Sequence, residues 1–282
     1  MVNEKKSSII KYYKNQILLF DFYFERTLKS KNKEDLHQMR VSIKRLKAIW
    51  SMMEMATSGK WQKKQHYKLF DKLFDAAGKV RELEVNSELI EKYNSSYLDS
   101  YNKYLQNTQE GLNRELFVRM QSFDHKNFEA LNNKLLQKMK GLSDKVVLKE
   151  SARYIQKEVK KVLKLNDELP NNRKLHKIRI HLKAANEILT IINELNTRVS
   201  LKKLQTNIKS LNERIGKWHD YTVLLSSLKH FANEKMGKKD IQLLNDLVGH
   251  IDNRQDKRKD KIHRLIKKLV VQKHLKQIKN LL

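Results

Sequence analysis

Residues 36–50 read LHQMRVSIKRLKAIW. Met39, Ile43, Leu46 and Trp50 recur at three- and four-residue spacing, so at about 100° per residue they fall in one narrow sector of an α-helix, the sector a core would take. His37, Arg40, Lys44 and Lys47 fall in the sector beside it. This helix is therefore expected to bury an apolar stripe and to hold a histidine and three cations along the edge of the packing seam.

The same register returns farther along the chain. LHKIRIHLK at 175–183 places Leu, His, Arg and Lys as LHQMRVSIK does at 36–44, at an offset of 139. AGKVRELEV at 77–85 answers to IGKWHDYTV at 215–223 at an offset of 138, and Gly111 and His125 face Gly249 and His263 at that same offset. Order and spacing recur together, which is the mark of an internal duplication. The expectation is one domain over 1–282, with a first repeat over about 1–140 and a second over about 141–282.

One proline and seven glycines leave long stretches without a breaker. Lys, Leu, Glu, Gln and Asn dominate those stretches, and they favour helix over strand. The predicted helices are 8–29, 33–56, 61–76, 79–108 and 112–140 in the first half, and 147–168, 173–195, 199–214, 218–235 and 239–280 in the second, the last with a break near Gly249. The fold class is thus all-α, each half holding about four helices with a further long one, in one compact basic domain. NDELPNN at 166–172 holds the lone proline and reads as a turn inside the second repeat.

Sixty Lys and Arg stand against 32 Asp and Glu, a formal charge of +28. Such an imbalance repels itself unless a polyanion is near, and nucleic acid, an anionic membrane and a phosphate polymer all qualify. There is no cysteine, which excludes disulfides and thiolate chemistry. No segment approaches about 18 uninterrupted apolar residues, and MVNEKKSSIIKYYKNQ at 1–16 has no apolar run of signal-peptide length, so a cytoplasmic protein is expected. The basic run Asn253–Lys279, with Ile, Leu and Val interleaved, reads as a bundle helix rather than a lipid-resting one.

A run of charges is most often a solvated helix face. Cations beside a packing seam differ, because neighbouring helices screen them from water and sharpen their repulsion. His176, Arg179 and Lys183 repeat the row of the first half, Asn186 stands where Lys47 does, and Arg45 gives way to Ala184. If the halves dock about a pseudo-twofold axis, the two rows line a single groove or pore. Arg offers phosphate a planar fork of donors, Lys a mobile charge and His a donor. In the second repeated motif, Glu82 and Asp220 read as acids near helix starts, favoured by the macrodipole and able to hold a stripe cation, while Arg81 and His219 reach toward the ligand.

No His-Glu-x-x-His, no Walker-type glycine loop and no Gly-x-Ser-x-Gly occurs, and the histidines stand among cations that disfavour a divalent metal. The expectation is a binding protein, not an enzyme, with no metal and no cofactor. Nucleic acid is the rival partner, since +28 attracts it through counterion release. Against specific reading of bases, Tyr12, Tyr13, Phe20, Phe22, Tyr23 and Phe24 crowd one N-terminal helix at core-like spacing.

At LHQMRVSIKRLK, at GKVRELEV and GKWHDYTV, and at the echo LHKIRIHLK, the chain resembles the conserved histidine α-helical domain, or CHAD, family over essentially its whole length. The resemblance implies two pseudo-symmetric four-helix bundles around a basic pore, and binding of long-chain inorganic polyphosphate; a structural role, coating or organising polyphosphate granules, would use the same chemistry. By position it carries His37, Arg40, Lys44, Lys47, His176, Arg179 and Lys183 over as ligand contacts. Ala184, Asn186 and His219 depart from the family's basic residues, which puts the grip of the second half in doubt.

Overall fold

A computed structural model describes residues 7–30, 32–93, 95–195, 201–235 and 238–271. Among the described residues there are nine α-helices and no strand: α1 Ser8–Ser30, α2 Lys33–Ala56, α3 Lys64–Ile90, α4 Asp99–Gln121, α5 His125–Lys140, α6 Asp144–Leu165, α7 Asn172–Glu194, α8 Lys202–Lys235 and α9 Lys238–Val271. Two short 3-10 turns, Glu91–Tyr93 and Ser96–Leu98, bridge α3 and α4. The all-helical class is as expected. No helix among the described residues is long and apolar enough to cross a membrane. The predicted stretch 272–280 of the last helix lies outside the described residues, as does the start near 199.

The glycines mislead as helix boundaries. α3 runs unbroken through Gly78 and α8 through Gly216, while α4 and α9 pass through Gly111 and Gly249. Glu82 and Asp220 consequently lie inside long helices, and the macrodipole reading of these two acids is wrong. A glycine inside a helix costs roughly 1 kcal/mol relative to alanine, and packing readily overrides that. At Gly78 the reason is clearance, because a Cβ there would stand 3.2 Å from Arg40 Nη1. The chain turns elsewhere. After α2, Ser58 and Gly59 take positive φ of 51° and 79°. The predicted helix 79–108 is divided by the 3-10 turns, and 112–140 is divided at Ser122–Asp124, where Asp124 caps α5 by accepting from Asn127 N at 2.9 Å.

The two histidine-bearing helices are capped alike. Asn32 accepts from Glu34 N at 2.7 Å and Asn171 from Lys174 N at 2.9 Å, so each helix is capped five residues before its histidine. The turn at 166–171 falls where NDELPNN placed it.

α1 to α4 pack in sequence with one another and α5 rests on α1 and α3, α6 to α9 pack in sequence, and the two groups meet where α2 packs on α6 and α7 and α3 packs on α8. The apolar cores are shared between the groups. The larger joins Phe20, Ile43, Trp50 and Phe70 to Ile178, Leu182, Ile215 and Trp218. The smaller joins Leu83, Ile90 and Tyr101 to Leu224, Leu228 and Phe231. α3 and α8 are long because each crosses from one core to the other, and Arg81 and His219 sit at the crossing. Of the N-terminal aromatics, Tyr13, Phe20 and Phe24 are buried, whereas Phe22 is exposed with Arg26 over its ring.

His66 is buried in the larger core between Trp50 and Trp61, with ring centroids 4.9 and 5.2 Å away. Burial lowers its pKa to about 4, with a partial offset from the backbone of Leu131. The unfolded chain takes up this proton near pH 6.5 and the folded chain only near 4, so stability is full above 6.5 and is lost as pH falls through that window. The loss has an upper bound of about 3 kcal/mol. Chemical denaturation at pH 7 and pH 4.5 should show His66→Phe losing measurably less stability on acidification than the wild type.

Candidate functional site

Because α2 packs on α7 and α3 on α8, the cationic rows of the two halves face one another. Arg40, Lys44 and His37 are half-buried on α2, and Arg179 is half-buried on α7. Lys44 lies in the positive field of Arg40 and Arg179, and Lys183 in that of Arg179, Lys44 and Arg40. The two rows therefore converge in one cluster, as the sequence predicts.

What holds each cation is unequal. Arg40 donates through Nη1 to the Phe74 carbonyl at 2.8 Å and lies over the Phe74 ring at 4.5 Å, so its side chain is fixed without a carboxylate. Burial and then Arg81 bring its pKa down to about 10. Burial is also the main cause that lowers Lys44 and Arg179. Arg179 Nε is buried and has no hydrogen-bond partner among the described residues. Lys183 is exposed by surface area, yet protein atoms crowd its ammonium, and this crowding followed by Arg179, Lys44 and Arg40 lowers it to about 8. Among the described residues, none of Arg40, Lys44, Arg179 and Lys183 has a carboxylate within 4.0 Å.

Lys47 and Arg81 are engaged differently. Lys47 pairs with Asp71 at 3.3 Å and sits over the rings of Phe74 and Tyr67 at 4.5 and 5.1 Å. Arg81 is held by Glu84 at 3.0 Å and Glu88 at 3.2 Å, Glu84 being buried. Both already have acidic partners.

The histidines gather at the cluster too. His37 is lowered by burial and then by Lys44, with Arg81 and Arg40 adding to the effect. His176, exposed, and His219, half-buried, bring their ring centroids within 5.7 Å. Burial, then Arg179, His176 and Lys183 bring His219 down to about 4, so it is neutral at pH 7. Where an arginine would add charge, this chain presents an uncharged imidazole.

Besides Glu82, in the field of Arg40 and Arg179, two acids face the cluster, and the first has no counterpart in the sequence reading. Glu187 stands four residues after Lys183 on α7, with Lys44, Arg45 and Lys183 in its field. Asp220 lies between Arg179, Lys183 and Arg81. Burial raises both carboxyls while these cations pull them back. The i,i+4 spacing of Lys183 and Glu187 was the available signal. Among the described residues no group of three or more His, Cys, Asp or Glu is arranged to hold a metal.

Fold and site together define an all-helical domain whose two helix groups enclose a cluster of cations short of acidic partners. The family model described as the CHAD domain matches residues 22–229. The chain belongs to the CHAD domain family. A crystal structure of the CHAD domain from the plant Ricinus communis matches with a TM-score of 0.74, covering 92% of this chain and 90% of that one at 17% identity, a likeness of fold. No curated protein matches the chain.

The electrostatics of the cluster can be read from His219. Side-chain NMR titration should find it near pH 4, and Arg179→Ala should move it upward toward 6.5 by removing the largest charged cause. An unmoved His219 in that variant would separate it from the cluster.

Proposed function

We propose that this cluster binds long-chain inorganic polyphosphate without catalysis, the chain threading a groove or pore between the two helix groups. The observation that supports the reading most is that Arg40, Lys44, Arg179 and Lys183 come from both groups, repel one another and have no carboxylate within 4.0 Å among the described residues. Half-buried like charges are held together at a cost, which a bound anion removes. Phosphate fits because Arg40 and Arg179 offer forked donors, and Lys44 and Lys183 offer mobile charges between them. His37, His176 and His219 border this set, and Lys47 and Arg81 join it by exchanging their carboxylate partners for phosphate.

A linear polymer suits the arrangement better than a single phosphate, since the cations are shared along two facing helices. In this reading the chain is one domain over 1–282, its halves derived from a duplication of about 1–140 into about 141–282. The protein would work in the cytoplasm and gather on polyphosphate granules. The family resemblance points to the same ligand. The net charge of +28 favours a second reading, general attraction to polyanions including nucleic acid. The two differ in where affinity resides.

Replacing Arg40, Lys44, Arg179 and Lys183 with Ala should weaken polyphosphate binding by more than about a thousandfold, at about 1.5 kcal/mol or more for each charge-assisted contact. Removing four exposed lysines of α9, Lys257, Lys261, Lys267 and Lys268, should cost less than about tenfold. Fluorescence anisotropy with labelled long-chain polyphosphate at physiological salt reads both, and equal losses would assign binding to diffuse attraction. Excess duplex or single-stranded nucleic acid should fail to displace the bound chain.

A further inference from the structure

Beyond the cationic cluster, α3, α4 and α8 leave a cleft of about 410 Å³ lined by Lys79, Glu82, Asn86, Leu112, Val223 and Ser226, among others. The cleft exists because α8 presents small side chains, Ser226 and Ser227, one and two residues beyond the buried Leu225, where it faces α3. Asn86 is only 4% exposed, and its buried Oδ1 has no hydrogen-bond partner among the described residues. The Glu82 carboxylate is exposed and has no cation within 4.0 Å among the described residues. Of the two basic residues of the lining, Lys79 and His230, Lys79 is spent on Glu115, both of whose oxygens accept from Nζ at 3.1 Å.

We propose that this cleft is a binding site for an alkylammonium ligand, such as one end of a linear diamine. The acceptors call for N–H donors: a free carboxylate, a buried carboxamide oxygen, and a serine hydroxyl at Ser226. A buried amide oxygen without a partner is destabilising, and a donor from a ligand relieves it. Leu83, Leu112 and Val223 supply apolar walls for methylene groups. A divalent metal fits poorly, since calcium and magnesium take six or more oxygens and the lining offers one carboxylate. An anion fits poorly because Lys79 is already neutralised. Glu82 also lies in the field of Arg40 and Arg179, so the nearby cations oppose an entering ammonium.

The test is a calorimetric titration of the full chain with 1,4-diaminobutane at low salt. We expect saturable one-to-one binding that weakens at least tenfold in Glu82→Gln and in Ser226→Leu, the second of which fills the cleft without touching a charge. Arg179→Ala should strengthen it severalfold by removing an opposing cation. Circular dichroism and retained polyphosphate binding in Ser226→Leu distinguish a closed cleft from a misfolded chain. If diamine affinity is the same in Ser226→Leu and wild type, or if no saturable binding occurs, the proposal is overturned, whatever the fate of the polyphosphate reading.

Discussion

Like charges held together against their own repulsion are the constraint on which the rest of this structure turns. Arg40, Lys44, Arg179 and Lys183 approach from two helix groups; Arg40 and Arg179 depress the proton affinity of both lysines, and Lys44 that of Lys183. Acids such as Glu187, Asp220 and Glu82 offset part of this repulsion, but none lies within 4.0 Å of these four cations among the described residues. The approach is imposed by α2 packing on α6 and α7 and by α3 packing on α8, through apolar cores that draw on both groups. Hydrophobic burial thus stores an electrostatic tension, and a polyanion is what releases it.

The cations are also prevented from relaxing. Arg40 is pinned between the Phe74 carbonyl and ring, and Gly78 gives it the room to lie there. Neighbouring charges that do find partners, Lys47 with Asp71 and Arg81 with Glu84 and Glu88, frame the cluster without neutralising its centre. Glu187 and Asp220 face that centre from α7 and α8, each opposed by more than one cation. A ligand must compete with these two acids, which selects for high charge density over weak or single anions.

Much of this was legible in the sequence because helices make it so. The apolar stripe of Met39, Ile43, Leu46 and Trp50 is fully buried, and the row beside it is half-buried, as the spacing requires. In α7, Leu175, Ile178 and Leu182 are buried as their spacing requires, with Arg179 half-buried beside them. Glycine was misread because its meaning depends on what lies opposite: at Gly78 it is a guanidinium from another helix, which spacing along the chain does not reveal. Partners distant in sequence, such as Asp71 for Lys47 and Phe74 for Arg40, were invisible for the same reason. The sharing of two cores by both groups follows from α3 and α8 each running past a glycine that looked like an end.

The most direct measurement is the proton balance of binding. Burial and three neighbouring cations bring Lys183 to about 8, so near pH 8 about half the free protein carries it uncharged. A polyphosphate chain lying on Lys183 raises that pKa, and the complex must take up a proton to match. Calorimetry at pH 8 in buffers of different ionisation enthalpy should therefore record net uptake of about half a proton per protein, absent in Lys183→Met. Tight binding with no proton uptake would place the ligand elsewhere on this basic surface and contradict the account.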